Sequence, residues 1–403
     1  MADHPDLVTR DRAVGDVLAA RESALASRDT ETVPPDEIGG RVLAEDVVAD
    51  ADAPPVSRAT MDGFAFDATD DYPLTLGEGE VFPEDDPGDL DAGHARRVAT
   101  GAPIPRGANA VLKREDARVS DGRLRGKRVE PGTYVSERGS NYAAGDALFA
   151  AGERLSAKDA ILLGDLGVDD VAVFERFSVG VLATGTEIHE GVTADLDSDM
   201  LAGLVESWGH DAVYEGSVPD EGDRVRDAIE SLAREHDVVV TTGGTSVGHK
   251  DYVVRALADL GEIDFHRVRL RPGKPLALAR LPEHDAVAFA VPGKPVGAHT
   301  VATLVARPFF TGDARHPTVS AEVTVDLELG PSGFDYAIPV TLDGDRATPL
   351  GHASSALAVY EDTYDPSVLS ASTRATRADG LVVTTDALTA GERVEVVPYS
   401  VLD

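Results

Sequence analysis

A chain of 403 residues is longer than one hydrophobic core organises, so two to four domains are expected. The absence of cysteine excludes disulfides, thiolate nucleophiles, zinc–sulfur sites and iron–sulfur clusters. Its 72 acidic residues against 37 basic ones give a formal charge of −35, which opposes binding to nucleic acid or anionic lipid, and no apolar run approaches the roughly 20 residues that span a bilayer. The start, MADHPDLVTRDRAVGD, has neither a basic region nor an apolar core, so a cytoplasmic location is expected. Acid dispersed over the whole chain predicts adaptation to concentrated, halophilic salt, where self-repulsion is screened over a few ångströms.

In chain order, Val14, Val17, Leu18, Leu25, Ile38, Val42 and Leu43 recur at helical spacing, and the entry is predicted helical. From about 50 to 145 short β-prone runs are broken by Pro and Gly, as in YPLTLGEGEVFPEDDPGDL, and a β domain is predicted. SAKDAILLGDLG reads as a helix with Ser156 as N-cap and Gly167 as its stop, packing back on the first helices. Strands and helices then alternate as in a parallel α/β sheet. FSVGVLATG, DVVVTTGG and AVAFAVPG are the strands; SDMLAGLVESWG, DRVRDAIESLAREH, DYVVRALADLG and VGAHTVATLVARPFF are the helices. Past about Thr311 the chain is β-rich again and predicts a separate C-terminal β domain. The expected division is 1–49 with 146–175, a discontinuous helical domain; 50–145, an inserted β domain; 176–314, a parallel-sheet α/β domain; and 315–403, a C-terminal barrel-like β domain.

In an open parallel sheet, ligands bind outside the carboxyl ends of the strands. Three loops qualify: ATGTE (183–187), TTGGTSVGHKD (241–251) and VPGKPVG (291–297). Glycine lets the backbone approach a ligand, and N–H groups with Ser and Thr hydroxyls suit phosphate or another oxyanion. Neither G-x-G-x-x-G nor a Walker P-loop is present. FHRVRLRPGKPLALARL (265–281) alternates Arg267, Arg269 and Arg271, with Lys274 following, and predicts one positive strand face. Among so many acids, Glu187, Asp220, Asp251 and Asp62 stand out by following glycine loops or lying in unusual peptides. Such carboxylates hold Mg²⁺ or position water. The eleven histidines show no metal-ligand spacing.

ATMDGFAF (59–66), TGAPIPRGANAV (100–111), VGVLATGTE (179–187), TTGGTSVGHKDY (241–252), RPGKP (271–275) and VPGKPVGA (291–298) resemble, in order, the signature segments of the molybdopterin molybdenumtransferase family, MoeA and the gephyrin E-domain. The resemblance runs from about residue 10 to the C-terminus. It implies an elongated homodimer whose site lies between the α/β domain of one subunit and the inserted β domain of the other. It also implies molybdenum cofactor biosynthesis, in which adenylylated molybdopterin and molybdate give cofactor and AMP with Mg²⁺ assisting, and the molybdopterin adenylyltransferase and apo-molybdoenzymes as partner proteins. By motif position, Asp62, Glu187, Asp220 and Asp251 take catalytic roles, the last three as metal ligands. Thr100, Gly185, Thr186, Gly243, Gly244, Thr245, Ser246, Gly248, Arg271, Pro272, Gly273, Lys274, Pro292, Gly293 and Pro295 bind substrate.

The chain departs from the pattern in several places. Arg271 stands where the family usually has Lys, Lys294 and Asp199 where it has Asn, and Asn141 where it has an acid. SVLSASTRATRADG, with Ser370 and Ser372, replaces a Gly-Ser pattern. These departures leave open a catalytically lapsed dimeric cofactor-binding or scaffold protein, and the chemical likeness of tungstate to molybdate leaves open a tungsten-inserting paralogue.

Overall fold

The computed structural model describes residues 6–244 and 251–402, which divide into two compact units: 45–151 with 162–168, and the remainder. The larger unit is built on a seven-stranded sheet. Its order is Asp6–Val8, Glu262–Val268, Ala277–Leu281, Ala286–Val291, Val238–Thr242, Ser178–Thr184 and Asp211–Val218. The last four are mutually parallel, as the α/β pattern predicts. The sheet is mixed rather than wholly parallel, because Ala277–Leu281 runs antiparallel to both its neighbours.

The central strand shows why this sequence makes a sheet covered on both faces. All five residues of Val238–Thr242 are buried. Val238 and Val240 join the core beneath helix Ser198–Ser207, while Val239 joins the core beneath helices Gly222–Glu235 and Tyr252–Leu260. That is the two-residue alternation of a strand with no solvent face. In the neighbouring strand the same alternation puts Val287, Phe289 and Val291 on one side and Ala286, Ala288 and Ala290 on the other, so one helix layer meets bulk and the other meets small side chains.

The entry differs from the helical expectation. Helix Arg10–Ala26 forms, but Val33, Val42 and Leu43 lie in strands and bridges, Thr30–Val33 pairing antiparallel with Val171–Phe174. Ile38 is buried from a loop and Val42 and Leu43 from isolated bridges, a spacing that imitates a helix over a few residues. Nor does the first helix belong to a separate helical core. Its Ala13, Val17 and Ala20 pack into the same cluster as Phe309 and Phe310. Ser156 meets the following helix through Asp159, whose Oδ2 accepts from both its N–H and its hydroxyl at 2.7 Å, the reciprocal half of a capping box. The run 296–310 is helical, with a wider, π-type turn at Ala302–Ala306.

At the C-terminus, strands Asp335–Asp343, Arg346–Pro349, Val319–Val323, Arg393–Pro398 and Gly380–Thr384 pair in a ring, closing a five-stranded barrel around Tyr336, Ile338, Val340 and Val396. The smaller unit carries a six-stranded sheet whose central strand, Gly63–Phe66, is buried at every position. A Cβ on Gly63 would stand 2.1 Å from Leu112 O, so glycine is what allows these two strands to lie together.

Candidate active site

The three glycine loops leave adjacent parallel strands at one end of the sheet, and their roots touch. Thr184 Oγ1 donates to Thr242 O at 3.1 Å, and Gly243 N donates to Val291 O at 3.2 Å. Gly243 and Gly244 take positive φ of 87° and 63°. A Cβ on Gly243 would meet Thr184 O at 2.6 Å, and one on Gly293 would meet Gly243 Cα at 3.0 Å. Both the conformation and the space demand glycine. Gly185 N donates to Val218 O, and Asp220 N donates to Thr186 Oγ1 at 3.1 Å, so Gly185, Thr186 and Asp220 are brought together with exposed Glu187 beside them.

The second neighbourhood is cationic. The Arg271–Lys274 turn leans on helix Pro295–Val301, for a Cβ on Gly273 would lie 2.4 Å from Val301 Cγ1 and 3.5 Å from Gly297 O. Arg271, Lys274 and Lys294 line a cleft of about 280 Å³ with Pro272, Gly273, Pro292, Ser367 and Ser370. Lys294 Nζ donates to Ser367 O at 3.2 Å, and the Arg271 guanidinium lies 4.3 Å from the centroid of the Phe334 ring. Three cations on one concave wall suit a compact oxyanion. Pro292 lines this cleft while its neighbour Gly293 abuts Gly243, so the two neighbourhoods share one backbone junction.

Several sequence expectations change here. The three arginines do not share a face: Arg267 has φ 74°, which breaks the alternation; Arg269 Nη1 donates to Gly333 O; and only Arg271 enters the cleft. Pro295 borders a different, mainly apolar cavity of about 390 Å³ with Leu196, Met200 and His299. Asp62 and Thr100 lie in the smaller unit and bind each other. Thr100 N and Oγ1 donate to Asp62 Oδ1 at 2.7 and 2.8 Å, holding that carboxyl below the usual range. Thr100 lines a cleft of about 750 Å³ there, where Asn141 Nδ2 donates to Asp165 Oδ2 at 3.0 Å. Thr245, Ser246 and Gly248 fall outside the described residues.

As metal ligands, Glu187, Asp220 and Asp251 do not form a ready cluster: among the described residues no three His, Asp or Glu side chains converge on a common point. Asp251 still has the character of a ligand. Burial raises its pKa, and its Oδ1 has no hydrogen-bond partner among the described residues. One free carboxylate oxygen fits Mg²⁺, which is commonly held by one or two carboxylates plus phosphate and water.

Two side chains escaped sequence reasoning as site residues. Lys294 was visible as a departure inside VPGKP, and its charge was the available signal. Asp197 had none, being one acid among 72. It is 5% exposed, and its Oδ2 accepts from Thr242 Oγ1 at 3.0 Å, directly behind the glycine turn.

Comparison with known proteins agrees with this architecture. Residues 11–167 match the MoeA N-terminal region (domain I and II), and 180–312 match a probable molybdopterin binding domain. The molybdopterin molybdenumtransferase of Synechococcus elongatus is 31% identical over 70% of this chain and 74% of its own; that of Haemophilus influenzae is 28% identical over 76% and 80%. Two solved molybdopterin biosynthesis MoeA structures from Pyrococcus horikoshii cover 98% of this chain and 99% and 100% of theirs, at 29% and 24% identity with TM-scores of 0.68 and 0.73. The order of the motifs, the fold and these relatives together mean that the chain belongs to the molybdopterin molybdenumtransferase family of molybdenum cofactor biosynthesis.

Proposed function

We propose that this enzyme inserts molybdate into adenylylated molybdopterin with release of AMP. The observation that carries the reading is the junction at Pro292–Gly293, which sets a three-cation cleft beside the glycine turns at the sheet's carboxyl end. Gly185 N and Gly243 N are already bonded to Val218 O and Val291 O, and what Gly185, Gly243 and Gly244 offer the pterin and its phosphates is close approach to bare backbone. Arg271, Lys274 and Lys294 suit the tetrahedral oxyanion, held as substrate. Mg²⁺, when bound, supplies neutralisation of phosphate charge as the phosphoanhydride is cleaved. Asp251 offers it a free oxygen, with Glu187 and Asp220 as further candidates, and these carboxylates orient the attacking water.

In the same reading the protein acts as a homodimer in the cytoplasm, Asp62 and Thr100 contribute to substrate handling, and the acidic surface is an adaptation to high salt. In the described residues no helix is long and apolar enough to cross a membrane. The test is purified protein in molar KCl with adenylylated molybdopterin, molybdate and Mg²⁺, measuring AMP release and cofactor formation. AMP release that requires molybdate and is lost in Asp251→Ala supports the reading. Tight pterin binding without AMP release, at any Mg²⁺ concentration, replaces it with a scaffold role, and a preference for tungstate makes the protein a tungsten-inserting relative.

A further inference from the structure

Asp197 occupies the N-cap position of helix Ser198–Ser207, yet its side chain makes no capping bond to that helix. Aspartate at an N-cap ordinarily accepts from the first turn of its own helix. Here the carboxylate is turned across to the neighbouring strand, where Oδ2 accepts from Thr242 Oγ1 at 3.0 Å. Thr242 O in turn accepts from Thr184 Oγ1 at 3.1 Å. Thr184 is the residue against which the glycine turn closes: a Cβ on Gly243 or Gly244 would meet Thr184 O or Oγ1 at 2.6 and 2.8 Å. A single line of hydrogen bonds thus runs from Asp197 through the last residue of the central strand to the last residue of its neighbour, at the point where both glycine loops depart.

The carboxylate is 5% exposed, and its Oδ1 has no hydrogen-bond partner among the described residues. Its own loop brings up a second acid, Asp195, whose Oδ1 accepts from the N–H groups of Asp197 and Ser198. From strand Asp211–Val218, Tyr214 interacts with Asp195; from helix Pro295–Val301, His299 packs edge-on against Tyr399; the strand ends behind it offer Thr184 and Thr242, which do not titrate. Burial, with repulsion from Asp195 adding to it, pushes the Asp197 carboxyl up to about 6 despite the Thr242 hydroxyl. A buried charge with one hydrogen bond is a liability unless the site uses it.

We propose that Asp197 is a positioning residue of the strand-end site: as a carboxylate it fixes the glycine turn at 243–244 through Thr242, and protonation releases that turn. The inference rests on the molybdenum-insertion reading only for its activity readout. Two measurements separate the two. The first needs no substrate: amide ¹⁵N shifts of Gly243 and Gly244 are followed from pH 4.5 to 8 in the wild type, Asp197→Asn and Thr242→Val. Both glycines are expected to titrate together in the wild type, with a midpoint close to 6, and neither in Asp197→Asn. In Thr242→Val the acid still titrates but its effect on the glycines is lost. The second is kcat/KM for AMP release over the same range, where the wild type should lose activity below the midpoint and Asp197→Asn should lack that acid limb, with a rate lowered about tenfold, the scale of one hydrogen bond to a charged group. Glycine shifts that titrate identically in Asp197→Asn overturn the proposal, as does an Asn variant with both the wild-type rate and the wild-type acid limb. Glycine titration in a protein that releases no AMP leaves the proposal standing and removes the molybdenum-insertion reading instead.

Discussion

Lys274 and Asp197 show two ways in which one side chain carries a site. Lys274 stands on a concave wall with two other cations, each holding down the cost of bringing an oxyanion out of water. Lys274→Ala is therefore expected to raise the half-saturating molybdate concentration by about tenfold or more while leaving the fold intact, as read from AMP release against molybdate. Asp197 works against stability. Its pKa is raised from 3.8 unfolded to about 6 folded, so its contribution is fully present below the lower value and is lost as pH rises through the upper one. Asp197→Asn should accordingly unfold with a free energy about 3 kcal/mol higher than wild type at pH 8 and close to wild type at pH 4, measured by urea titration. Neither the acid nor its partner announced itself in the text of the sequence. The glycines did, because a turn at positive φ admits few other residues, whereas an aspartate at a helix start is ordinary until its carboxylate is seen to face the wrong way.

Among the elements, those buried on both sides were the legible ones. FSVGVLATG, DVVVTTGG and AVAFAVPG are apolar runs ending in glycine, the trace of a strand covered on both faces. Strand Asp211–Val218 went unread because it is the sheet's edge, with Val213 and Tyr214 exposed and little buried alternation to betray it. The segment around Ile38, Val42 and Leu43 reads as helix because three apolar side chains buried from a loop and two isolated bridges share a helix's spacing. The edge strand is anchored just before its start. Buried His210 accepts from Phe177 N at 3.1 Å through Nδ1 and donates from Nε2 to Phe310 O at 2.9 Å, which fixes the neutral tautomer. Burial lowers its pKa to about 4, below the 6.5 of an unfolded chain. That stabilisation is present above pH 6.5 and is lost as pH falls through about 4. His210→Gln should weaken the fold at pH 7 and flatten this portion of the acid unfolding curve, as followed by circular dichroism.

At the level of the whole molecule, a formal charge of −35 sets the solution behaviour. The self-repulsion is long-ranged in dilute buffer and short-ranged in molar salt, so the melting temperature should climb continuously from 0.1 to 2 M KCl, and calorimetry that found it flat would remove the salt-adaptation reading. The α/β pattern and the β-rich ends were legible across hundreds of residues because layer architecture leaves a periodic trace. The joins between layers leave none: 1–49 with 146–175 reads as a helical domain, whereas its first helix, Arg10–Ala26, packs onto the sheet's core.

One of those joins has a consequence for how such a molecule came to be assembled. At the two ends of segment 45–151, the longer of the two that make up the smaller unit, Leu43 N donates to Glu153 O at 2.9 Å and Gly152 N donates to Leu43 O at 2.8 Å. The ends of that segment are thus clasped side by side, like the ends of a hairpin. Whatever is spliced between them, a hundred residues or a tight bend, closes the same loop at a cost that grows only with the logarithm of its length. Residues 162–168 return to the smaller unit, where Asp165 accepts from Asn141 Nδ2 and Tyr142 Oη, so a change of length between the clasped ends is cheapest where it leaves those two bonds alone.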